Sequence, residues 1–205
     1  MKKMHNGFTL VEMLVVIGII AILMGASISG FAKMRASAER AKVQELVSNV
    51  ATAMSALYQQ EGMWPKRLAA NGASDGELDA SSALPLAQGG YLSLTMNSSK
   101  TVFDGLDRLG VADPWGAAVI KARGKSASLS DKVGTTTVKD HLLHYALDLD
   151  GDGIVEASVG GESVNVRASA IVWCAGKDGK LESYKKGLKQ DDVYSWTPGM
   201  ATEVQ

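Results

Sequence analysis

The chain has 205 residues, 46% hydrophobic and 21% charged, with a formal net charge of −1 and one cysteine, Cys174. That is enough ordinary globular sequence for a single cored domain plus a terminal segment. Basic and acidic residues balance with no basic stripe, so nucleic-acid binding has no electrostatic footprint. One cysteine excludes an intrachain disulfide.

The N-terminus opens with Met1-Lys2-Lys3-Met4-His5-Asn6-Gly7, basic and free of acids. From Phe8 to Phe31 there is a single charged residue, Glu12, and no proline. At about 1.5 Å per residue that run spans roughly 36 Å, enough for a bilayer core of about 30 Å. The lysines ahead of it favour a cytoplasmic N-terminus. A carboxylate inside such a span costs on the order of 3 kcal/mol, so Glu12 needs a partner. If the chain is cut after Gly7, the new amine of Phe8 is a cation at the right depth. A neighbouring subunit's amine reaches Glu12 more readily than its own, which makes Glu12 an assembly residue. Two plainer readings stand beside this one. Ser27-Ile28-Ser29 is a small-x-small site for an ordinary secretory signal, or the run is an anchor in which Glu12 is incidental.

Beyond the apolar run, Val43, Leu46, Val47, Val50, Met54 and Leu57 recur at helical spacing, opposite Lys33, Arg35, Glu39, Arg40, Lys42 and Glu45. One helix is predicted from Phe8 to Gln60, ended by Gly62-Met63-Trp64-Pro65. Residues 71–90 read as a long surface connection. Asp113-Pro114-Trp115-Gly116 reads as a turn into a strand at Ala117–Ala122. Further strands are predicted at Leu142–Leu147 and Ala168–Trp173, giving an antiparallel sheet with one face under the helix.

The sequence Gly7-Phe8-Thr9-Leu10-Val11-Glu12, with a lysine-rich leader before it, resembles the prepilin leader of type IV pilins and of the pseudopilins of type II secretion. Later landmarks agree in order: Trp64-Pro65, Gly89-Gly90-Tyr91, Asp113 to Gly116, Gly176 to Gly179, and Asp191-Asp192 ahead of Trp196. Together these look like the major pseudopilin of type II secretion. Ser126–Asp140 and Leu149–Val166 stand out as insertions. The absence of a disulfide departs from many type IV pilins and favours the pseudopilins.

The resemblance implies a pilin-like α+β fold, a long N-terminal helix on a small antiparallel sheet with a loop-rich C-terminal region. Residues 1–7 form the cleaved leader, 8–31 the membrane and filament-core helix, 32–61 its amphipathic half, and 62–205 a periplasmic domain. It implies cleavage between Gly7 and Phe8, and N-methylation of Phe8, by a prepilin peptidase and methyltransferase. It further implies a homopolymer built through N-terminal helices, working with an inner-membrane assembly platform and minor pseudopilins or pilins. The expected role is a filament subunit that drives protein export from the bacterial inner membrane. The alternatives are a surface type IV pilus for adhesion, motility or DNA uptake, and an anchored or secreted calcium-dependent binding module.

Two acidic loops are candidate calcium sites. Asp148, Asp150 and Asp152 alternate ahead of Gly153, as in the first half of an EF-hand loop, with Glu156 at the ninth position and Val159 at the twelfth. The plainer reading is an acidic hairpin turn. Asp178, Asp191 and Asp192 occupy the loop where major pseudopilins bind calcium, with Lys177 beside them. Their plainer reading is a surface loop paired with nearby lysines. His141 and His144 lack the companions a zinc site needs. Nothing in the sequence assembles a catalytic constellation, so no enzyme is expected.

Overall fold

The structure is a computed structural model that describes residues 9–69, 75–91, 109–182 and 191–196. Helix α1 runs from Leu10 to Glu61. It ends where Gly62 adopts φ 68° and its N–H reaches the Tyr58 carbonyl at 2.9 Å, the left-handed close that glycine permits. The chain falls into two compact units, Met1–Glu39 and Arg40–Gln205.

In the first unit the apolar side chains of α1 are exposed, Leu10 at 81% and Ile22 at 74%. Among the described residues no helix is long and apolar enough to cross a membrane. On the polar side, Arg35 pairs with Glu39 one turn on at 3.0 Å.

The second unit contains the rest of α1, where the predicted stripe becomes a core. Val43, Val47, Val50, Met54 and Leu57 are buried against a four-stranded antiparallel sheet. Its order is β1 (Asp75–Glu77), β4 (His144–Leu147), β7 (Ala170–Cys174) and β8 (Val193–Tyr194). Register pairs Tyr145 with Val172 and Trp173 with Tyr194. Alternation then turns Tyr145, Leu147, Val172, Cys174 and Val193 toward α1. Ala146, Ile171, Trp173 and Tyr194 face the other way. That second face is also covered, by the hairpin of β5 (Val155–Val159) and β6 (Glu162–Val166) through Val155, Val159, Val164 and Val166. The expected face under the helix is present, and the hairpin over the second face adds to it. A strand buried on both sides carries no polar alternation, as Ala-Ile-Val-Trp-Cys of β7 shows.

Two predictions change. Ala117–Ala122 is not a strand but part of α3 (Pro114–Arg123), because Asp113 Oδ1 accepts from the N–H groups of Trp115 and Gly116 at 3.0 and 2.9 Å and proline opens the helix. Residues 75–88 are not all loop. They hold β1 and α2 (Ala80–Gln88), capped by Asp79 on the Ser81 and Ser82 N–H groups. Both stretches read as insertions contain hairpins, β2 (Lys132–Val133) with β3 (Thr136–Thr137), and β5 with β6. The α+β arrangement, a long helix packed on a small antiparallel sheet, holds.

Candidate functional sites: the helix N-terminus and two acidic loops

Gly7 and Phe8 lie outside the described residues. The helix begins just after them in a reciprocal cap. The Glu12 N–H approaches Thr9 Oγ1 at 3.3 Å, and Glu12 Oε2 accepts from the Thr9 N–H and hydroxyl at 2.8 Å each. Threonine followed three residues later by glutamate is a capping box, a pattern legible in Thr9-Leu10-Val11-Glu12 but passed over in favour of charge pairing. Glu12 thus closes the first turn of its own helix, at a point where Leu10, Val11, Met13 and Leu14 are all at least 48% exposed.

Asp148 leaves β4 and enters the first acidic loop already anchored. Its N–H donates to the Ser169 carbonyl at 2.9 Å, and its own carbonyl accepts from Trp64 Nε1 at 2.6 Å. Trp64 in turn stacks on Tyr58 of α1, ring centres 4.7 Å apart. The Asp148 carboxylate is buried and accepts from the Gly151 N–H at 2.7 Å and the Gly153 N–H at 2.9 Å. Both glycines have positive φ, 78° and 81°, which draws the loop tightly around that carboxylate. Asp150 and Asp152 are exposed, and oxygens of Asp148, Asp150 and Asp152 lie within 4.8 Å of one another. Calcium–oxygen distances of about 2.4 Å put opposed ligands roughly 4.8 Å apart, so one ion can touch all three. Glu156 is exposed on β5 opposite Asn165 and is not in this group. Val159 faces the core and offers no ligand.

The second loop is arranged differently. Asp191 Oδ2 accepts from the Lys177 and Asp178 N–H groups at 2.6 and 3.1 Å, and Asp178 Oδ1 accepts from the Lys180 N–H at 2.9 Å. Asp192 is 2% exposed, with Oδ2 accepting from the Glu182 N–H and the Tyr194 hydroxyl at 3.0 and 3.2 Å. Its Oδ1 is buried with no hydrogen-bond partner. Burial pushes this carboxyl up to about 6, against the two hydrogen bonds that favour its ionised form. An orphaned buried oxygen suits a cation. However, Asp178, Asp191 and Asp192 do not converge as the first three acids do.

A polar constellation that the sequence did not announce lies beside the second loop, at Gly179. Asp113 and His141 are wholly buried, with Asp113 Oδ2 2.7 Å from His141 Nδ1 and the Asp113 N–H donating to the His141 carbonyl at 2.9 Å. His141 Nε2 lies 3.0 Å from Thr136 Oγ1. The Asp-Pro cap of α3 was the only local sign of it. His144 opens β4 and stacks on Trp173. Cys174 is buried in the core, where burial pushes its thiol up to about 12, so it is no nucleophile.

Comparison with known proteins bears on the N-terminal end most directly. Residues 2–28 match the family model described as the prokaryotic N-terminal methylation motif. The chain is 29% identical over 101 residues to the type IV major pilin protein PilE of Neisseria gonorrhoeae, covering 48% of this chain and 60% of that protein. It is 32% identical over 72 residues to the fimbrial protein EcpC of Eikenella corrodens, covering 35% of this chain and 47% of that one. The matched stretches thus span about half the length of these curated relatives. No solved structure matches. The chain thus carries a prokaryotic N-terminal methylation motif, and over the matched stretches, as in its helix-on-sheet fold, it is similar to pilins.

Proposed function

We infer that the protein is the structural subunit of a pilus-like filament, cut between Gly7 and Phe8, methylated on Phe8 and polymerised through its N-terminal helix. One observation carries this reading. A methylation motif over residues 2–28 overlaps the start of a helix on which Leu10, Val11, Ile17 and Ile22 are exposed. Such a surface needs lipid before assembly and other helices afterwards. Within that class we favour a type II secretion pseudopilin, on the single cysteine and the ordered landmarks from Trp64 to Trp196. The surface-pilus reading draws on the relatives, both of them pilus or fimbrial proteins by name. A calcium ion at Asp148, Asp150 and Asp152 is part of the proposal, supported by the 4.8 Å clustering. The experiment is mass spectrometry of the mature N-terminus. N-methylated Phe8 is expected; a mature chain that begins at Gly30 or retains Met1 overturns the reading in favour of a secreted or anchored module.

A further inference from the structure

The buried Asp113–His141–Thr136 chain belongs to none of the sites above, and its surroundings suggest a moving part. Asp113 is fully engaged: Oδ1 caps α3 and Oδ2 meets His141. Thr136 Oγ1 is within reach of both the Val133 carbonyl, at 2.9 Å, and His141 Nε2. What lies over that last nitrogen is a turn from far along the chain. A Cβ placed on Gly179 would sit 2.8 Å from Thr136 Oγ1 and 2.9 Å from His141 Nε2, and Gly179 holds φ +65°. The other end of the turn is as tightly seated, since a Cβ on Gly176 would lie 2.6 Å from Asp191. Between them the Lys177 and Asp178 N–H groups hang on the Asp191 carboxylate.

We propose that the Gly176–Gly179 turn is a strap that closes over His141. On one side it is tied to Asp191, and on the other it rests its glycine on the Thr136–His141 contact. Lys177 and Asp178 are exposed, and their N–H groups are held by the one Asp191 carboxylate, so the strap can lift without unfolding the sheet. His141, by contrast, is wholly buried, with Nδ1 on Asp113 and its Cβ against Gly116 of α3. Water therefore reaches its ring by way of the strap. The C-terminal turn and the inserted segment around Thr136 are coupled through this contact, although 43 positions separate Thr136 from Gly179 in sequence.

The test is deuterium uptake at the imidazole C2 position of the full chain, read by mass spectrometry in chelator at the high-pH plateau of each histidine. His144, stacked on Trp173 in β4, is the internal control. In Gly179→Ala, His141 should take up deuterium about tenfold faster or more, as local opening eased by about 1.4 kcal/mol gives, with His144 unchanged. Asp191→Ala frees the strap from its other end and should act in the same direction, which covers a failure of Gly179→Ala to fold. In the unsubstituted chain, His141 uptake should share the opening of the Lys177 and Asp178 amides. Wild-type uptake at His141 in both folded variants overturns the proposal. So does His141 uptake in the unsubstituted chain that follows global unfolding.

Discussion

Asp192 sits in the core end of β8 with one oxygen holding two hydrogens and the other holding none, and its carboxyl is raised to about 6 by burial. An unfolded aspartate titrates near 3.9, so between roughly pH 4 and 6 the folded chain binds the extra proton. Stability therefore falls as pH rises through that window, by about 2 kcal/mol, and is flat above it. Denaturant midpoints in chelator should show this slope, and Asp192→Asn should flatten it. If added calcium also abolishes the slope, an ion has reached this loop. The first loop divides its labour among its acids. Asp148 satisfies two glycine N–H groups, whereas Asp150 makes no hydrogen bond among the described residues. Asp148→Ala should then cost about 1–3 kcal/mol even in chelator, the penalty of buried donors left unmet. Asp150→Ala should leave the apo melting temperature alone and remove the rise caused by calcium. At a hundred times Kd that rise corresponds to about 2.7 kcal/mol. A wild-type chain whose melting temperature ignores calcium makes the loop an ordinary acidic turn.

At the level of elements, α1 poses the sharper question, because Glu12 has two possible duties. The capping box with Thr9 asks only for an acceptor at Oε2, which glutamine also provides, while a charge pair with a neighbouring subunit's amine needs the carboxylate. Glu12→Gln should keep the first turn of the helix yet assemble as poorly as Glu12→Val, which loses both. Filament yield read alongside amide exchange near Leu10–Met13 separates the two, and normal filaments from Glu12→Gln would reduce Glu12 to a cap. In α3 the cap is more deeply embedded. Asp113→Ala strips the helix of its N-cap and leaves His141 Nδ1 buried without its carboxylate, so a loss of about 3–5 kcal/mol is expected in urea titration, with Asp113→Asn milder. The same elements mark where sequence reading works. Helix α1 was legible because Val43 to Leu57 repeat at 3.6, and β4 and β7 because apolar runs sit between turns. Helix α3 was not, since Asp-Pro opens a turn and caps a helix with identical chemistry. The 28 positions between Asp113 and His141 carry no local pattern that could have paired them.

For the whole molecule, the parts fixed by local chemistry were legible and those fixed by distant packing were not. The N-terminal run declares itself through composition, and the Asp148–Gly153 loop through spacing. That the β5–β6 hairpin closes the second face of the sheet depends on Val155 and Val164 meeting Ile171 and Trp173, a match of surfaces rather than of sequence. The proposed assembly follows the same logic one level up, since Leu10, Ile17 and Ile22 are largely exposed and apolar surface of that kind is covered by lipid or by other helices. Processing is the gate to that step. Glycine at position 7 presents no side chain to a peptidase, and only cleavage there turns the Phe8 nitrogen into the amine that Glu12 is proposed to meet. Gly7→Val should leave a full-length precursor in the membrane with its C-terminal half folded, since the core of the second unit is built from Val43 onward. Without the amine each subunit would bury an unpaired carboxylate, at about 3–5 kcal/mol, so filament yield should fall by more than about a hundredfold. Immunoblots for precursor length and electron microscopy of sheared cells measure both. A precursor that accumulates uncut yet forms filaments at the normal yield would show that the helix face assembles without the new amine.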